Sequence, residues 1–419
     1  MKYFVKTYGC TFNEADTDRI IGLAEGVHER VQKEEDAEVI VLNTCSVKDA
    51  TQQKILHEVS STKKQLVVTG CLAQASPELI QKYNPNASVV GTFAHKRINE
   101  AISGEKIIDV SRSNVLPLFA QVDGLFSRIQ INSGCASFCT FCSTKLARGN
   151  TKSYDAKELV YSIQKSVELG AKEIQLCSQD TGCYGQDLGY SLVDLLERIK
   201  EIPGDFRVRL GMLNPEHVLT LGEPLLGAFD QEKMFKFVHL PLQSGSDSVL
   251  KHMRRHYNVS EFKQAFFAFK NRFPEAMMAT DVIVGYPTET DEDFRQTMNL
   301  IKELRFDVVN VSKFSPRPNT IAAKLPQLNN AVVKKRSAEC SELCRKISLE
   351  NNSKLVGKEF DVLLLEKGTK EGQLVGKSGF YKSFVLNSNA ELGSWVKVKA
   401  VSAGVSFIGS TVSTLNFVG

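Results

Sequence analysis

The sequence lacks a long apolar run. Its longest examples, such as residues 39–42 and 362–365, fall far short of the roughly 20 apolar residues that a membrane-spanning helix needs. The beginning, MKYFVKTYGC, has no apolar core of a secretory signal, and the end, STLNFVG, has no hydrophobic anchor. We therefore expect a soluble, cytoplasmic protein that does not act on a membrane.

The sequence also lacks a strong charge of one sign and several enzyme signatures. Its 52 Lys and Arg residues face 48 Asp and Glu residues, for a net charge of +4, so any surface for nucleic acid would have to be local. There are only seven His residues and no nucleophile elbow, so nothing points to a Ser-His-Asp hydrolase. No Gly-x-Gly-x-x-Gly follows the first predicted strand, which leaves no dinucleotide fingerprint.

The composition is that of a globular protein, with 42% hydrophobic and 24% charged residues. At roughly 150 residues per domain, the length predicts about three domains. The first, residues 1–112, alternates strands and helices, which predicts an open parallel α/β sheet. Its strands are predicted at residues 2–7, 38–43, 65–70, 87–91 and 106–110, with helices beginning near Asn13, Asp49, Ser76 and His95. Residues 111–126 show no period, and we interpret them as a linker.

A second alternation of strands and helices occupies residues 122–346 and predicts a partial (βα)6 barrel. Its strands are predicted at residues 127–132, 172–178, 206–212, 236–242, 279–286 and 306–314. Its helices are predicted at residues 155–169, 192–200, 260–273 and 291–304, with Gly170 in the C-cap position of the first. A long helix over residues 331–356 leads into the third domain, residues 347–419. Short alternating strands separated by glycines predict a five-stranded all-β barrel there.

Ten cysteines in a chain without an export signal indicate metal binding or catalysis rather than disulfides. Three of them, Cys135, Cys139 and Cys142, share one short loop after a predicted strand. Iron–sulfur cubanes normally take four thiolates, so three would leave one iron open to another ligand. A zinc site is the alternative, but it needs a fourth ligand that the neighbouring sequence does not offer. Coincidental buried cysteines are the other interpretation.

A second set of three cysteines lies in the first domain. Cys10, Cys45 and Cys71 each follow a predicted strand, and the carboxyl ends of parallel strands meet at one edge of a sheet. The three thiols are therefore expected to converge, and this set too lacks a fourth protein ligand. Buried apolar thiols, or a zinc site completed by His57 or Asn43, are the alternatives. Two such sets predict two clusters, each with one open iron.

The spacing of Cys135, Cys139 and Cys142, with Phe141 before the last, resembles the cluster loop of radical S-adenosylmethionine (SAM) enzymes. The resemblance implies that a [4Fe–4S] cluster binds SAM at its open iron and that reduction yields a 5′-deoxyadenosyl radical. Residues 281–289 are similar to the strand that contacts the adenine of SAM in that superfamily. Further cofactor contacts are expected from side chains at strand ends or in this strand, namely Phe141, Gln179, Gln243, Ile283 and Gly285.

The whole chain resembles the methylthiotransferases among these enzymes. The motifs that carry the resemblance lie at residues 7–16, 43–47, 69–74, 178–185, 210–215 and 239–247. The third domain resembles TRAM, a small barrel that binds tRNA. Residues 144–150 and 178–182 are most similar to the archaeal and eukaryotic branch, which acts on N6-threonylcarbamoyladenosine at position 37 of tRNA, beside the anticodon.

The resemblance implies two SAM molecules per turnover: one methylates a sulfur on the amino-terminal cluster, and the other yields the radical that activates carbon 2 of the adenine. We expect Asp180 to act in catalysis, and Lys145 and Arg148 to contact the substrate. The expected partners are tRNA and external sulfur and electron donors, with the chain acting as a monomer. The alternatives are the same chemistry on an isopentenyl-type tRNA adenosine or a ribosomal-protein aspartate, or a non-catalytic RNA-binding protein with zinc.

Four cysteines remain outside the two sets. Cys183 stands where the family pattern leads us to expect a small residue such as Ala, and we interpret it as a thiol near the site rather than a ligand. Cys340 and Cys344 are four residues apart on the predicted long helix, so they share one face and are expected in the core. No role is predicted for Cys177.

Overall fold

The computed structural model describes residues 1–46, 49–112 and 118–414. The amino-terminal part is one parallel sheet in the order β2-β1-β3-β4-β5-β6. All six residues of its central strand β3 are buried, as expected for a strand covered by helices on both faces. The elements are β1 (Lys2–Thr7), α1 (Thr11–Ala24), β2 (Glu29–Arg30), β3 (Val39–Thr44), α2 (Asp49–Ser61), β4 (Gln65–Thr69), α3 (Gly70–Ala75), α4 (Pro77–Tyr83), β5 (Ser88–Val90), α5 (Ile98–Ile102) and β6 (Ile108–Asp109).

Each face of this sheet has its own apolar core. Ile40 and Leu42 pack with Ile55 of α2 on one face, while Val39 and Val41 alternate to the other face. The predicted parallel sheet is confirmed, and β2 is an edge strand that sequence analysis missed. It has only two residues, both polar and exposed, so it carries no apolar pattern. The predicted linker lies partly outside the described residues.

The central part of the chain forms a curved array of six parallel strands. Two sheets, β11-β10-β7 and β12-β13-β14, are joined where Phe235 N donates to Val208 O at 2.9 Å. The elements are β7 (Phe126–Gln130), β8 (Asn132–Ser133), α6 (Ser143–Arg148), β9 (Lys152–Ser153), α7 (Ala156–Glu168), β10 (Glu173–Cys177), α8 (Leu192–Lys200), β11 (Arg207–Leu210), α9 (Pro215–Phe229), β12 (Phe237–His239), α10 (Asp247–His252), α11 (Val259–Arg272), β13 (Met277–Val284), α12 (Asp291–Leu304), β14 (Val308–Lys313) and α13 (Asn330–Ser353).

Helix α1 of the first domain packs against β7 of this partial barrel. Arg128 on β7 forms ion pairs with Glu14 at 3.1 Å and Asp18 at 3.4 Å. Gln130 Nε2 donates to Asp16 Oδ1 at 2.8 Å. These contacts dock the first domain on the β7 side of the central part of the chain.

The carboxyl-terminal strands form a closed barrel in the order β15-β16-β17-β19-β18, which confirms the predicted five-stranded barrel. Leu363 and Leu365 pack against Phe235 and Phe237 at the amino-terminal end of the central strands. The small barrel therefore packs against that end of the partial barrel. Its strands are β15 (Glu359–Lys367), β16 (Gln373–Ser378), β17 (Ser383–Asn387), β18 (Trp395–Ala403) and β19 (Ile408–Thr414). Within the described residues, no helix has the length and apolar character to cross a bilayer.

Candidate functional site

The amino-terminal cysteines lie together at one sheet edge. Cys10 is the N-cap residue of α1, directly beyond β1, and Cys45 and Cys71 follow β3 and β4. These three strands are parallel neighbours with Thr7, Asn43 and Thr69 in register. Burial raises the pKa of the Cys71 thiol to about 12, and Cys45 and Cys10 are close enough to add to that rise. We call Cys10, Cys45 and Cys71 the amino-terminal triad.

Polar contacts hold the three loops of the amino-terminal triad in place. Asn13 Nδ2 donates to Tyr8 O and to Thr44 O, each at 2.9 Å, which ties the start of α1 to two strand ends. Gly70 has a φ of +89°, and a Cβ there would lie 2.4 Å from the backbone oxygen of Thr44. Only glycine therefore fits before Cys71, because both the conformation and the space exclude a side chain.

Cys135, Cys139 and Cys142, the central triad, lie on the loop between β8 and α6. Gln179 Oε1 accepts from Gly134 N at 2.6 Å, and Cys142 N donates to Cys139 O at 3.2 Å. Burial raises the pKa of the Cys135 thiol to about 12, with further contributions from the charges of Asp180, Cys183 and Cys142. Cys183 is therefore near this triad, as expected.

Each triad offers three thiols, and thiolates are the ligands that hold iron–sulfur clusters. Across residues 1–46, 49–112 and 118–414, no three His, Cys, Asp or Glu side chains are grouped closely enough to hold one metal ion, which is what a structural zinc requires. In a cubane each thiolate binds a different iron, so its three sulfurs stand farther apart than the ligands of a single ion. His57, considered as a fourth ligand, instead lines a surface cleft with Lys6 and Glu58.

The two triads face each other across the domain interface. Ser46 follows Cys45, Ser143 follows Cys142, and Ser143 Oγ donates to Ser46 O at 3.3 Å. Helix α6 then runs from Cys142, its N-cap residue, to Arg148, whose side chain reaches the amino-terminal triad. One six-residue helix therefore connects the two cysteine sets.

The structure places Arg148, expected to contact the substrate, inside the domain interface. Arg148 is only 2% exposed, it pairs with the buried carboxylate of Asp16, and its Nη2 donates to Cys71 Sγ at 3.4 Å. Helix α6 directs it into the interface, a direction that its position in the sequence does not show. Lys145 on the same helix remains accessible, donates to Cys135 O and lies 4.1 Å from the centroid of the Phe138 ring.

Asp180 is fully buried and receives several hydrogen bonds beneath the central triad. It accepts from Asn214 Nδ2 at 2.7 Å and from His217 Nε2 at 3.0 Å. Burial lowers the pKa of His217, but the hydrogen bond and charge of Asp180 outweigh it, so the pKa is raised overall. Arg255 donates to Asn214 Oδ1 and, at 3.1 Å, to Cys139 Sγ.

Sequence analysis missed the roles of Asn214, His217 and Arg255. Asn214 lies within the motif at residues 210–215, and His217 comes just after it. The motif was therefore a sequence signal that could have placed both residues near Asp180. Arg255 precedes α11 with no pattern of its own, and only the tertiary structure brings it to Cys139.

The residues expected to bind SAM lie on the cysteine loop, after β10, and on or beside β13. Phe141 and Ile283 pack in one small apolar cluster with Tyr286. Gln243 has a φ of 64° and is joined to β13, where its N donates to Asp281 O at 2.8 Å. Gly285 has a φ of +77°, and a Cβ there would lie 2.6 Å from Val333 Cγ2.

The remaining cysteines differ in their surroundings. Cys340 and Cys344 are buried in the main apolar core, as predicted. Cys177 is buried at the end of β10; burial raises its pKa to about 12, with a contribution from Cys10. Cys183 lies 3.3 Å from Thr151 Oγ1, and burial raises its pKa to about 11.

Comparison with known proteins agrees with this architecture. The family model described as "Uncharacterized protein family UPF0004" matches residues 2–91, and the Radical SAM superfamily matches residues 129–301. The solved structure of the radical S-adenosylmethionine methyltransferase TsrM from Kitasatospora setae, with cobalamin and a [4Fe–4S] cluster bound, covers 77% of each chain with a TM-score of 0.56 and 12% identity. That likeness shows a shared fold.

Relatives match nearly the full length. A Pyrococcus horikoshii protein named "Probable threonylcarbamoyladenosine tRNA methylthiotransferase" is 40% identical over 400 residues, covering 92% of this chain and 93% of its own. The "Threonylcarbamoyladenosine tRNA methylthiotransferase" of Xenopus laevis is 34% identical over 97% of this chain and 76% of its own. The chain therefore belongs to the threonylcarbamoyladenosine tRNA methylthiotransferase family of radical SAM proteins.

Proposed function

We propose that this chain transfers a methylthio group to carbon 2 of N6-threonylcarbamoyladenosine at position 37 of tRNA, using two SAM molecules and two [4Fe–4S] clusters. The observation that carries the proposal is the placement of two three-cysteine sets on opposite sides of one interface, joined by α6. A radical-generating site and a sulfur-holding site need such proximity, because the sulfur group must reach the activated carbon.

The central triad would hold the cluster that binds SAM. With SAM bound, this cluster supplies the reductive cleavage that provides a primary carbon radical, the species needed to break a strong aryl C–H bond. Gln179 fixes the start of the loop through Gly134. Phe141, Gln243, Ile283 and Gly285 would shape the SAM site, with Gln243 held to β13 by backbone hydrogen bonds and Phe141 packed in the same apolar cluster as Ile283.

The amino-terminal triad would hold the second cluster. Cys45 and Cys71 are buried, whereas Cys10 is exposed, so the accessible side of this triad is at the start of α1. An external donor would load sulfur there, and an external reductant would supply electrons. Because a single chain contributes both triads, the enzyme would act as a monomer.

Asp180 would act through the groups that surround it. Its buried carboxylate orients Asn214 and His217 below the central triad. Since Asn214 in turn accepts from Arg255, Asp180 would orient the residues nearest to Cys139 and so affect the geometry in which hydrogen is abstracted.

The tRNA would approach the solvent-exposed side of the loop that carries the central triad. Phe138 is 61% exposed there, and base–aromatic stacking recognises any unstacked base. Lys145 beside it adds a positive charge for a phosphate or for the carboxylate of the threonylcarbamoyl group. The small barrel at the base of the molecule would bind tRNA more remotely. Because tRNA is used in the cytoplasm, the enzyme would act there.

The test is reconstitution under anaerobic conditions. We expect about eight irons per chain and, with SAM and reductant, conversion of threonylcarbamoyladenosine tRNA to its 2-methylthio derivative by nucleoside mass spectrometry. Matched tRNA carrying unmodified or isopentenyl adenosine, and ribosomal protein, serve as competing acceptors. Product on one of these alone would overturn the assigned substrate, and a colourless zinc protein would overturn the chemistry.

A further inference from the structure

In each cysteine triad an arginine guanidinium donates to a cysteine sulfur. At the amino-terminal triad, Arg148 Nη2 lies 3.4 Å from Cys71 Sγ. At the central triad, Arg255 Nη1 lies 3.1 Å from Cys139 Sγ. The two sites are therefore matched, with a charged donor on one sulfur of each set.

Arg148 is held in place from three directions. It pairs with Asp16, which is fully buried and also binds Arg19 at 3.1 Å. Its guanidinium carbon lies 4.7 Å from the centroid of the Phe12 ring, a cation–π contact. Arg148 belongs to the central part of the chain, whereas Asp16 and Cys71 belong to the first domain, so the contact exists only when the domains are docked.

Arg255 is held differently, by hydrogen bonds to two neutral side chains. Its Nη2 donates to Asn214 Oδ1 and its Nε donates to Tyr257 Oη at 3.1 Å. Asp180 lies behind Asn214. The guanidinium fork thus has one arm on the sulfur and one on an amide, so its charge is directed toward Cys139.

We infer that Arg148 and Arg255 are positioning residues that separately set the reduction potentials of the two clusters. The inference rests on the proposed two-cluster function. One-electron reduction adds a negative charge to a cluster, and hydrogen bonds to its sulfurs favour the reduced form. A guanidinium also contributes Coulomb stabilisation in a site of low dielectric. Removing either arginine should therefore make its own cluster harder to reduce and leave the other unchanged.

The experiment uses full-length chains that keep one triad each. Replacing Cys10, Cys45 and Cys71 by Ala leaves only the central cluster, and replacing Cys135, Cys139 and Cys142 by Ala leaves only the amino-terminal one. Into both chains we would introduce Arg148→Gln and Arg255→Gln, and the conservative Arg→Lys changes. The readouts are iron per folded chain, and the midpoint potential from an anaerobic titration with dithionite followed by electron paramagnetic resonance.

We expect each Gln variant to lower the reduction equilibrium constant of its own cluster at least tenfold, which is about 59 mV for one electron. The Lys variants keep the charge but lose the fork, so their shift should be smaller. Loss of iron from the matching triad would show that the arginine is needed to hold the cluster, and it would overturn a role confined to setting the potential. Unchanged potentials at full iron content, or equal effects on both triads, would overturn it.

The proposed function and this inference fail in different ways. If a single-triad chain that keeps both arginines binds no iron, the two-cluster proposal fails before any arginine is changed. If both chains bind iron and substitution of Arg148 and Arg255 leaves their midpoint potentials unchanged, only the arginine inference fails. Shifted potentials in an enzyme that modifies a different acceptor would leave the inference intact.

Discussion

The buried carboxylate of Asp16 provides a demanding test of how the first domain is docked. Its side chain is inaccessible to solvent and pairs with Arg148 and Arg19, whose side chains are 2% and 5% exposed. Asp16→Asn keeps the shape of the side chain but removes the negative charge. Two guanidinium groups would then be buried without it, and breaking a buried pair by removing one partner costs about 3–5 kcal/mol.

Hydrogen exchange followed by mass spectrometry measures this cost locally, which suits a chain of several domains that need not unfold in one step. At one decade per 1.4 kcal/mol, the opening of α1 (Thr11–Ala24) should become roughly a hundredfold to several-thousandfold more frequent. Peptides of the carboxyl-terminal barrel should keep their protection.

The matched control is Glu168→Gln, which removes an exposed ion pair to Lys165 on α7. Exposed pairs of this kind contribute little to stability, so α1 should exchange as in the parent. If Asp16→Asn left the exchange of α1 within tenfold of the parent, the view that this ion cluster holds the domains together would be wrong.

Three further predictions concern the two clusters, the substrate and the barrel junction. Cys139→Ala should abolish SAM cleavage yet keep tRNA binding. Cys45→Ala should keep SAM cleavage and stop methylthio formation. Mass spectrometry measures the cleaved SAM and the modified nucleoside, and methylthio product from Cys45→Ala would contradict the separate roles of the two clusters. Phe138→Ala should weaken binding of an anticodon stem–loop by the 1–3 kcal/mol of a lost stack, while Phe138→Tyr should not, by fluorescence titration. Tyr381→Phe removes the hydroxyl that donates to the buried Glu173 at 2.7 Å. Its loss should cost about 1–3 kcal/mol and lower the melting temperature. An unchanged melting temperature would show that this contact does not stabilise the junction.

The amino-terminal triad illustrates what local pattern can predict. Cys10, Cys45 and Cys71 each follow a strand, and short crossovers between parallel strands make those strands neighbours. Strand ends and neighbouring register were enough to predict that the thiols converge, without any knowledge of side-chain packing. The short polar strand β2 gave no such signal, because an exposed pair of residues has no apolar periodicity.

Arg148 illustrates what local pattern cannot predict. It follows the cluster loop closely, which favoured a role at the substrate. Its actual direction depends on how α6 meets α1 of another domain, and the pairing with Asp16 joins residues 132 positions apart. Arg255 and Cys139 are 116 positions apart, so the same limit applies. Contacts between domains are set by complementary surfaces that no short motif describes.

Two carboxylates on α1 should give the domain interface opposing responses to pH. Burial opposes ionisation of Asp16, but the charges of Arg148, His95 and Arg19 outweigh it and lower its pKa. Its contribution to stability is therefore present above the unfolded pKa near 4 and is lost as the pH falls through the folded pKa. For Asp18, burial raises the pKa to about 6 despite the charge of Arg128.

The folded chain thus binds more protons at Asp18 than the unfolded chain between about pH 4 and pH 6, and stability from this group rises as the pH falls through that window. After correction for intrinsic exchange rates, α1 should be better protected at pH 5 than at pH 7. Asp18→Asn should remove that difference and Asp16→Asn should keep it. A slope that survives Asp18→Asn would mean that another group in the interface titrates there.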